Sequence, residues 1–188
     1  MVILASASPR RKQLMKELVP SFTIIVPEID ESLSFKKFQD VRHIVSDIAH
    51  RKCQKISKDH PNDLVIAADT VVVIGNEIIG KPKDKEDAFR MLRKLSGNTH
   101  YVYTAYEISK DNKVVSGITE TEVLFNDLSD DLINRYIASG SPLDKAGAYG
   151  YQDNDQFPIV KKINGSITNV IGFPLEDIKD VLKKEFSL

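Results

Sequence analysis

The segment Leu64-Val65-Ile66-Ala67-Ala68-Asp69-Thr70-Val71-Val72-Val73-Ile74 constrains this chain most. A run so apolar and so rich in β-branched residues reads as a buried strand, and it carries one acid near its middle. An ionised carboxylate there loses solvation worth several kcal/mol unless a cation, a metal or hydrogen bonds meet it. Asp69 therefore requires a partner. Two plainer arrangements are also compatible with the residues: a strand that ends at Ala68, or an aspartate that caps a neighbouring helix. Gly75-Asn76 then reads as a two-residue hairpin turn, and Glu77 to Ile79 returns as a short strand toward Gly80-Lys81-Pro82. That return sets Lys81 and Asp69 at about matching distances from the turn.

The stretch Ile3-Leu4-Ala5-Ser6-Ala7-Ser8-Pro9-Arg10-Arg11-Lys12 breaks a local rule. It reads as strand, tight turn and helix, with Ser8 as N-cap and Pro9 at the first helical position, where a missing amide hydrogen costs nothing. Leu14, Met15 and Leu18 continue it at apolar spacing. Arg10, Arg11 and Lys12 nevertheless occupy the first turn, where the helix dipole disfavours cations by about a few tenths of a kcal/mol each. A bound anion resolves the conflict, because free backbone amides, serine hydroxyls and guanidinium forks then converge on phosphate oxygens. A solvated basic helix end is the alternative.

With 188 residues, 41% apolar and 28% charged, the chain is expected to form one domain over residues 1–188. A net charge of -1 gives no general attraction to nucleic acid, so a phosphate ligand must be small and locally bound. Cys53 is the only cysteine, which rules out an intrachain disulfide. The start Met1-Val2-Ile3-Leu4 has no basic segment followed by a long apolar one, and no apolar run approaches the roughly 18 residues of a membrane span. A cytoplasmic protein is expected.

Further along, Pro20 stops the first helix before a short strand, Thr23 to Val26, closed by Pro27. The acidic turn Glu28, Asp30 and Glu31 suits either a divalent cation or a solvated loop, and Ser34 to Gln39 shows little periodicity. Val41, Ile44, Val45, Ile48 and Ala49 predict a helix continuing to about Ile56, with Lys52 on it as an ordinary surface lysine. Asp84 caps a helix ended by Gly97, a long hairpin turns at Lys110-Asp111-Asn112, Ser129 caps a helix ended by Gly140, and a last helix starts around Pro174. Gly140, Gly147, Gly150, Gly165 and Gly172 are five of the nine glycines. Asp144 to Gln152 is therefore predicted to be irregular, either a loop that approaches a ligand closely or a plain surface loop. His43, His50, His60 and His100 form no ligand-spaced pair, so a zinc hydrolase is not indicated.

Five motifs in order, Ser6-Ala7-Ser8-Pro9-Arg10-Arg11, Ala68-Asp69-Thr70-Val71-Val72, Gly80-Lys81-Pro82, Leu95-Ser96-Gly97 and Asp144-Lys145-Ala146-Gly147-Ala148-Tyr149-Gly150, resemble the Maf family of nucleotide pyrophosphatases. The resemblance spans nearly the whole chain. It implies an α/β fold with a mixed twisted sheet flanked by helices, related to the inosine-triphosphate pyrophosphatases. It also implies hydrolysis of nucleoside triphosphates to monophosphate and pyrophosphate, a divalent metal and a cytoplasmic setting. Within the family the chain is similar to the dTTP/UTP branch, because Arg10 follows the Ser-Pro pair, Thr70 follows Asp69, and Gln152 follows Tyr149-Gly150-Tyr151. By motif position the resemblance implies Asp69 as proton acceptor and Arg10, Thr70 and Gln152 as residues tied to substrate choice. Glu31, Lys52 and Lys81 align with polar residues of the family's active site. One departure from the resemblance stands out: where the family pattern continues Gln-Gly-x-Gly, this chain has Gln152-Asp153-Asn154-Asp155-Gln156, a loop that lacks those glycines, gains two acids and leaves the shape of the base pocket and the breadth of substrate choice open.

The residue types suit that chemistry. Breaking an α–β phosphoanhydride bond with water needs cations on the triphosphate, a metal against developing charge, and a carboxylate that orients or deprotonates the water. Ser8, Arg10, Arg11, Lys52 and Lys81 are candidates for the clamp, Glu31 and Asp69 for the metal site, and Asp69 for the general base. The expected metal is magnesium, with manganese as the alternative. Gln152 is the candidate base reader, since a carboxamide accepts from the N3–H of uracil or thymine while donating to a flanking carbonyl. The expected partner is a nucleoside triphosphate, with no nucleic acid or membrane and with a homodimer as assembly. The rival readings are a nucleotide-binding regulator of cell division or septum formation, and a pyrophosphatase with a different base preference.

Overall fold

The computed structural model describes residues 1–188. The chain runs β1 (Val2–Ala5), α1 (Pro9–Leu18), β2 (Thr23–Ile24), α2 (Ser32–Lys37), α3 (Val41–Ser57), β3 (Leu64–Ile74) and β4 (Glu77–Ile79). It continues α4 (Lys85–Leu95), β5 (Thr99–Lys110), β6 (Lys113–Phe125), α5 (Asp130–Ala138), β7 (Val160–Asn164), α6 (Ile167–Ile171) and α7 (Leu175–Phe186). Three short 3-10 turns fill the segment between α5 and β7. The strands make one seven-stranded sheet in the order β2-β1-β3-β5-β6-β7, with β4 paired to β3 off that path. It is mixed, as expected: β1 runs parallel to β2 and β3, whereas β3–β4 and β6–β7 are antiparallel.

The residues gather into two compact units, each drawn from separate stretches of chain. One comprises residues 1–70, 104–119 and 172–188, the other 71–103 and 120–171. In the first unit, Ile3 and Ala5 of β1 and Val65 and Ala67 of β3 pack with Cys53 and Ile56 of α3. Each large apolar side chain so buried contributes roughly 1.5–3 kcal/mol of transfer free energy. α3 starts where the Asp40 carboxylate accepts from the amides of Arg42 and His43, and it buries Ile44, Val45, Ile48, Ala49, Cys53 and Ile56 at helical spacing. In the second unit the core gathers Val72, Leu92, Leu95, Phe125, Tyr136 and Phe157 among others. Its helix α4 starts where the Asp84 carboxylate accepts from the Asp87 amide at 2.7 Å.

The buried strand does not stop at Ala68. It runs on through Asp69 to Ile74, and Gly75 takes the positive φ of +58° that the hairpin needs. Asp111 and Asn112 likewise adopt φ of 50° and 67° at the turn of the long hairpin. Three expectations change. The strand after Pro20 covers only Thr23–Ile24, an exposed pair. The stretch beginning at Ser34 is not irregular but belongs to α2, a helix too short for an apolar period to show. The β3–β4 ladder pairs Ile74 with Glu77, Val73 with Ile78 and Val72 with Ile79, and stops there, so this ladder does not set Lys81 opposite Asp69. No helix is long and apolar enough to cross a membrane.

Candidate active site

Asp69 meets its cation from α3. The Lys52 ammonium donates to Asp69 Oδ1 at 2.7 Å and lies 2.7 Å from Glu31 Oε1, bridging the two carboxylates. The Asp69 and Lys52 side chains are only 11% and 13% exposed, whereas that of Glu31 is 50% exposed. Burial raises the Asp69 carboxyl above its ordinary pKa, with Lys52 and Arg11 opposing the shift and Glu31 adding to it. A carboxylate held this way is more basic than a solvated one.

Glu31 is brought to this place by its loop. Asp30 Oδ1 accepts from the Ser32 amide at 3.0 Å, which makes it a turn cap, and the Ser32 side chain together with that amide lowers the Asp30 carboxyl from its ordinary pKa. Arg51 donates to the Asp30 carbonyl at 2.8 Å and to Ser34 Oγ at 3.0 Å, while Ser34 donates to Asp47 at 2.7 Å. The acidic turn thus divides its roles between Asp30, which shapes the backbone, and Glu31, which faces Lys52.

Ser8 caps α1 as the sequence predicts, its hydroxyl accepting from the Arg11 amide at 3.4 Å, and the first turn of the helix carries no acid. Arg10 and Arg11 stand in that turn. The Arg11 guanidinium is a hub: Nε donates to the Gly172 carbonyl at 2.8 Å, Nη2 to Thr70 Oγ1 at 3.1 Å and Nη1 to Ser6 Oγ at 3.4 Å. Burial pulls its pKa down from the ordinary value, and the charge of Asp69 opposes that shift. Thr70 Oγ1 also lies 2.9 Å from Thr104 Oγ1. Thr104 and the Gly172 carbonyl are not singled out by the sequence, whereas Ser6 belongs to the first motif. The signal for Ser6 and Thr104 is a hydroxyl that an otherwise apolar strand or strand end must bury.

Lys81 and Gln152 belong to the second unit. Lys81 is exposed just beyond β4, and the carbonyl of Gly80 before it accepts from the Gly147 amide at 3.0 Å. Gln152 sits in the 3-10 turn Tyr151–Asp153, and its Oε1 lies 2.7 Å from where a Cβ on Gly150 would stand. The Asp144–Gln152 segment is irregular, as its glycines predict, with Gly147 at a φ of +72°.

The histidines are used singly. His50 Nδ1 contacts Glu107 Oε2 at 2.8 Å, and His100, fully buried, contacts the Tyr149 hydroxyl at 2.6 Å. No group of three or more His, Cys, Asp or Glu side chains is placed to hold an ion. Glu31 and Asp69, already sharing one cation in Lys52, form a two-carboxylate oxygen set. Two carboxylates are the kind of donor set that a hard divalent cation takes together with waters.

A family model described as Maf-like protein matches residues 1–185. A dTTP/UTP pyrophosphatase of Clostridium botulinum (strain Kyoto / Type A2) is 44% identical over 187 residues, which cover 96% of this chain and 95% of that protein. A dTTP/UTP pyrophosphatase of Fusobacterium nucleatum subsp. nucleatum is 43% identical over 186 residues, covering 97% and 94%. In fold alone, the chain is similar to the Staphylococcus aureus Ham1 protein, with a TM-score of 0.56 at 12% identity over 98% of each chain. A family model that spans nearly every residue, and relatives this similar from end to end, establish that the chain belongs to the Maf family.

Proposed function

We propose that this chain is a nucleoside triphosphate pyrophosphatase that hydrolyses dTTP and UTP to the monophosphate and pyrophosphate, acting as one module over residues 1–188. The observation that carries the reading is the Lys52 ammonium held between Glu31 and the buried Asp69, with the Arg11 guanidinium close enough to bias Asp69 electrostatically. The names of the relatives, dTTP/UTP pyrophosphatase, support the substrate class.

In this reading Asp69 orients the attacking water and takes its proton as the water adds at the α-phosphorus and pyrophosphate leaves. Its raised pKa suits that task, and the Lys52 charge beside it favours the ionised form. The amides at the start of α1, the Ser8 hydroxyl, Arg10 and Arg11 bind triphosphate oxygens, and Lys81 adds a further cation. Thr70 acts on substrate choice through the Arg11 it positions. Glu31 and Asp69 would hold a divalent cation, magnesium or else manganese, which when bound neutralises charge developing on the phosphate oxygens. Gln152 reads the base. The protein works in the cytoplasm as a homodimer on a free nucleotide, not on nucleic acid or at a membrane.

A panel of nucleoside triphosphates with magnesium tests the reading by the products released. Monophosphate and pyrophosphate in equal amounts, fastest from dTTP and UTP, are expected. Turnover confined to other bases would replace the substrate assignment with a different base preference. Binding of dTTP with no pyrophosphate release would favour a nucleotide-binding regulator of cell division or septum formation.

A further inference from the structure

Asp153 and Asn154 are built into the second unit by their side chains. Asp153 Oδ2 accepts from the Tyr136 hydroxyl and from Ser141 Oγ, both at 2.7 Å. The Tyr136 oxygen accepts in turn from the Gly150 amide at 3.0 Å, so one fully buried phenol ties Gly150 to Asp153 across the turn that carries Gln152. Lys145, 7% exposed, donates to Ser141 Oγ at 2.8 Å and stands 3.9 Å from Asp153 Oδ2. Asn154 closes the far side: its Oδ1 accepts from the amides of Ile159 and Val160 at 3.0 and 2.7 Å, and its amide nitrogen donates to the Val160 carbonyl at 3.2 Å. Gln152 therefore lies between two anchored residues. Its Oε1 and the Lys145 stem both fold over Gly150, into space that only a glycine leaves open.

A glutamine carboxamide free to rotate offers cytosine the same pair of contacts it offers uracil, with donor and acceptor exchanged. Selectivity for uracil or thymine needs the carboxamide held in one orientation. We propose that Asp153 is a specificity-positioning residue: through Tyr136, Ser141 and Lys145 it locks the turn from Gly150 to Asp153 and so fixes how Gln152 presents its carboxamide to the base. The proposal rests on the reading of Gln152 as base reader.

Kinetics of UTP and CTP hydrolysis in the full-length protein test this. The wild type should prefer UTP, and Asp153→Ala should lower the UTP-to-CTP ratio of kcat/KM by about tenfold, chiefly through a raised KM for UTP, as expected when a reading group is displaced. Asp153→Asn should fall between, because its carbonyl oxygen can still accept from both Tyr136 and Ser141 while the charge facing Lys145 is lost. Hydrogen exchange at the Gly150 and Asp153 amides should speed up in Asp153→Ala. Tyr136→Phe and Ser141→Ala, which each remove one anchor, should lower the ratio as well, and they carry the test if Asp153→Ala does not fold. A ratio unchanged in these variants but lowered in Gln152→Ala overturns the role of Asp153 and leaves the base reading intact. A wild type that hydrolyses CTP as well as UTP overturns both.

Discussion

Lys52 reaches Asp69 Oδ1 over 2.7 Å from the buried face of α3 to the middle of β3. Its place on the helix explains the contact. Ile48, Ala49, Cys53 and Ile56 line the core-facing side of α3, and position 52 falls in the same phase, four residues after Ile48 and four before Ile56. A lysine in that phase either snorkels out or finds a buried acid, and here it finds one. The pair forms because each partner would otherwise be a lone charge in a poorly solvated place.

Breaking this pair should therefore cost stability as well as activity. Lys52→Met keeps the stem and removes the charge, leaving Asp69 buried against Arg11 alone. We expect a loss of about 3 kcal/mol in unfolding free energy and a drop in turnover of about 10²-fold or more. Adding Asp69→Asn to Lys52→Met should restore much of the stability and none of the activity, because the stranded charge is then gone. Denaturant unfolding of the two single variants and the double variant measures this, and a Lys52→Met protein as stable as wild type would show that the pair contributes nothing to folding.

Asp69→Asn by itself preserves shape while removing the base, so turnover should fall by about 10²-fold or more with an intact fold. In the wild type, protonating Asp69 removes the same base. Since burial raises its pKa from the ordinary value of 3.8, the acid limb of the kcat/KM profile, which reports the free enzyme, should lie above the normal carboxylate range, with activity falling as pH drops through it. Lys52 opposes that shift, so Lys52→Met should move the Asp69 titration to still higher pH, a displacement carboxyl NMR can follow. An acid limb at or below the ordinary value speaks against Asp69 as the group titrating.

Arg11 bonds to Gly172, Thr70 and Ser6 at once, which is more than a phosphate clamp requires. Arg11→Ala should weaken triphosphate binding by roughly 1–3 kcal/mol and, by stranding buried acceptors, lower folding stability by a comparable amount. Arg11→Lys should rescue little of either, because an ammonium cannot serve acceptors arrayed around a planar fork. Measured KM, kcat and unfolding midpoints that stay at wild-type values in Arg11→Ala would remove Arg11 from both roles.

His100 supplies a pH dependence of stability separate from the carboxylate chemistry. Burial depresses its pKa from 6.5 to about 4, and its Nδ1 has no hydrogen-bond partner, so the folded protein holds it neutral. Between those values the unfolded chain binds the proton more readily than the folded one. The stability contributed is complete above the unfolded pKa and declines as pH falls toward the folded one, by roughly 3 kcal/mol in all. Unfolding free energies of wild type and His100→Gln across this interval should converge as the pH is lowered. Parallel curves would mean that His100 takes up its proton within the fold.

What the sequence by itself determined was local or periodic. The β-branched run from Leu64 to Ile74 made β3, Ser8 and Pro9 started α1, Asp84 and Ser129 started α4 and α5, and Asp111-Asn112 turned the long hairpin. These follow from caps, turn residues and apolar spacing, which act over a few residues at a time. The motif order carried the family and the identity of Asp69, Arg10, Thr70 and Gln152 as residues to watch, and the cations set against the helix dipole pointed to Arg11. Tertiary structure alone decided that Lys52 and Glu31 share Asp69, that Arg11 bonds a carbonyl 161 positions away, and that Asp153 is anchored by Tyr136 and Ser141. Those contacts join residues whose separation along the chain has no period, and each side chain satisfies a buried charge or hydrogen bond that exists only once the distant strands and helices have packed.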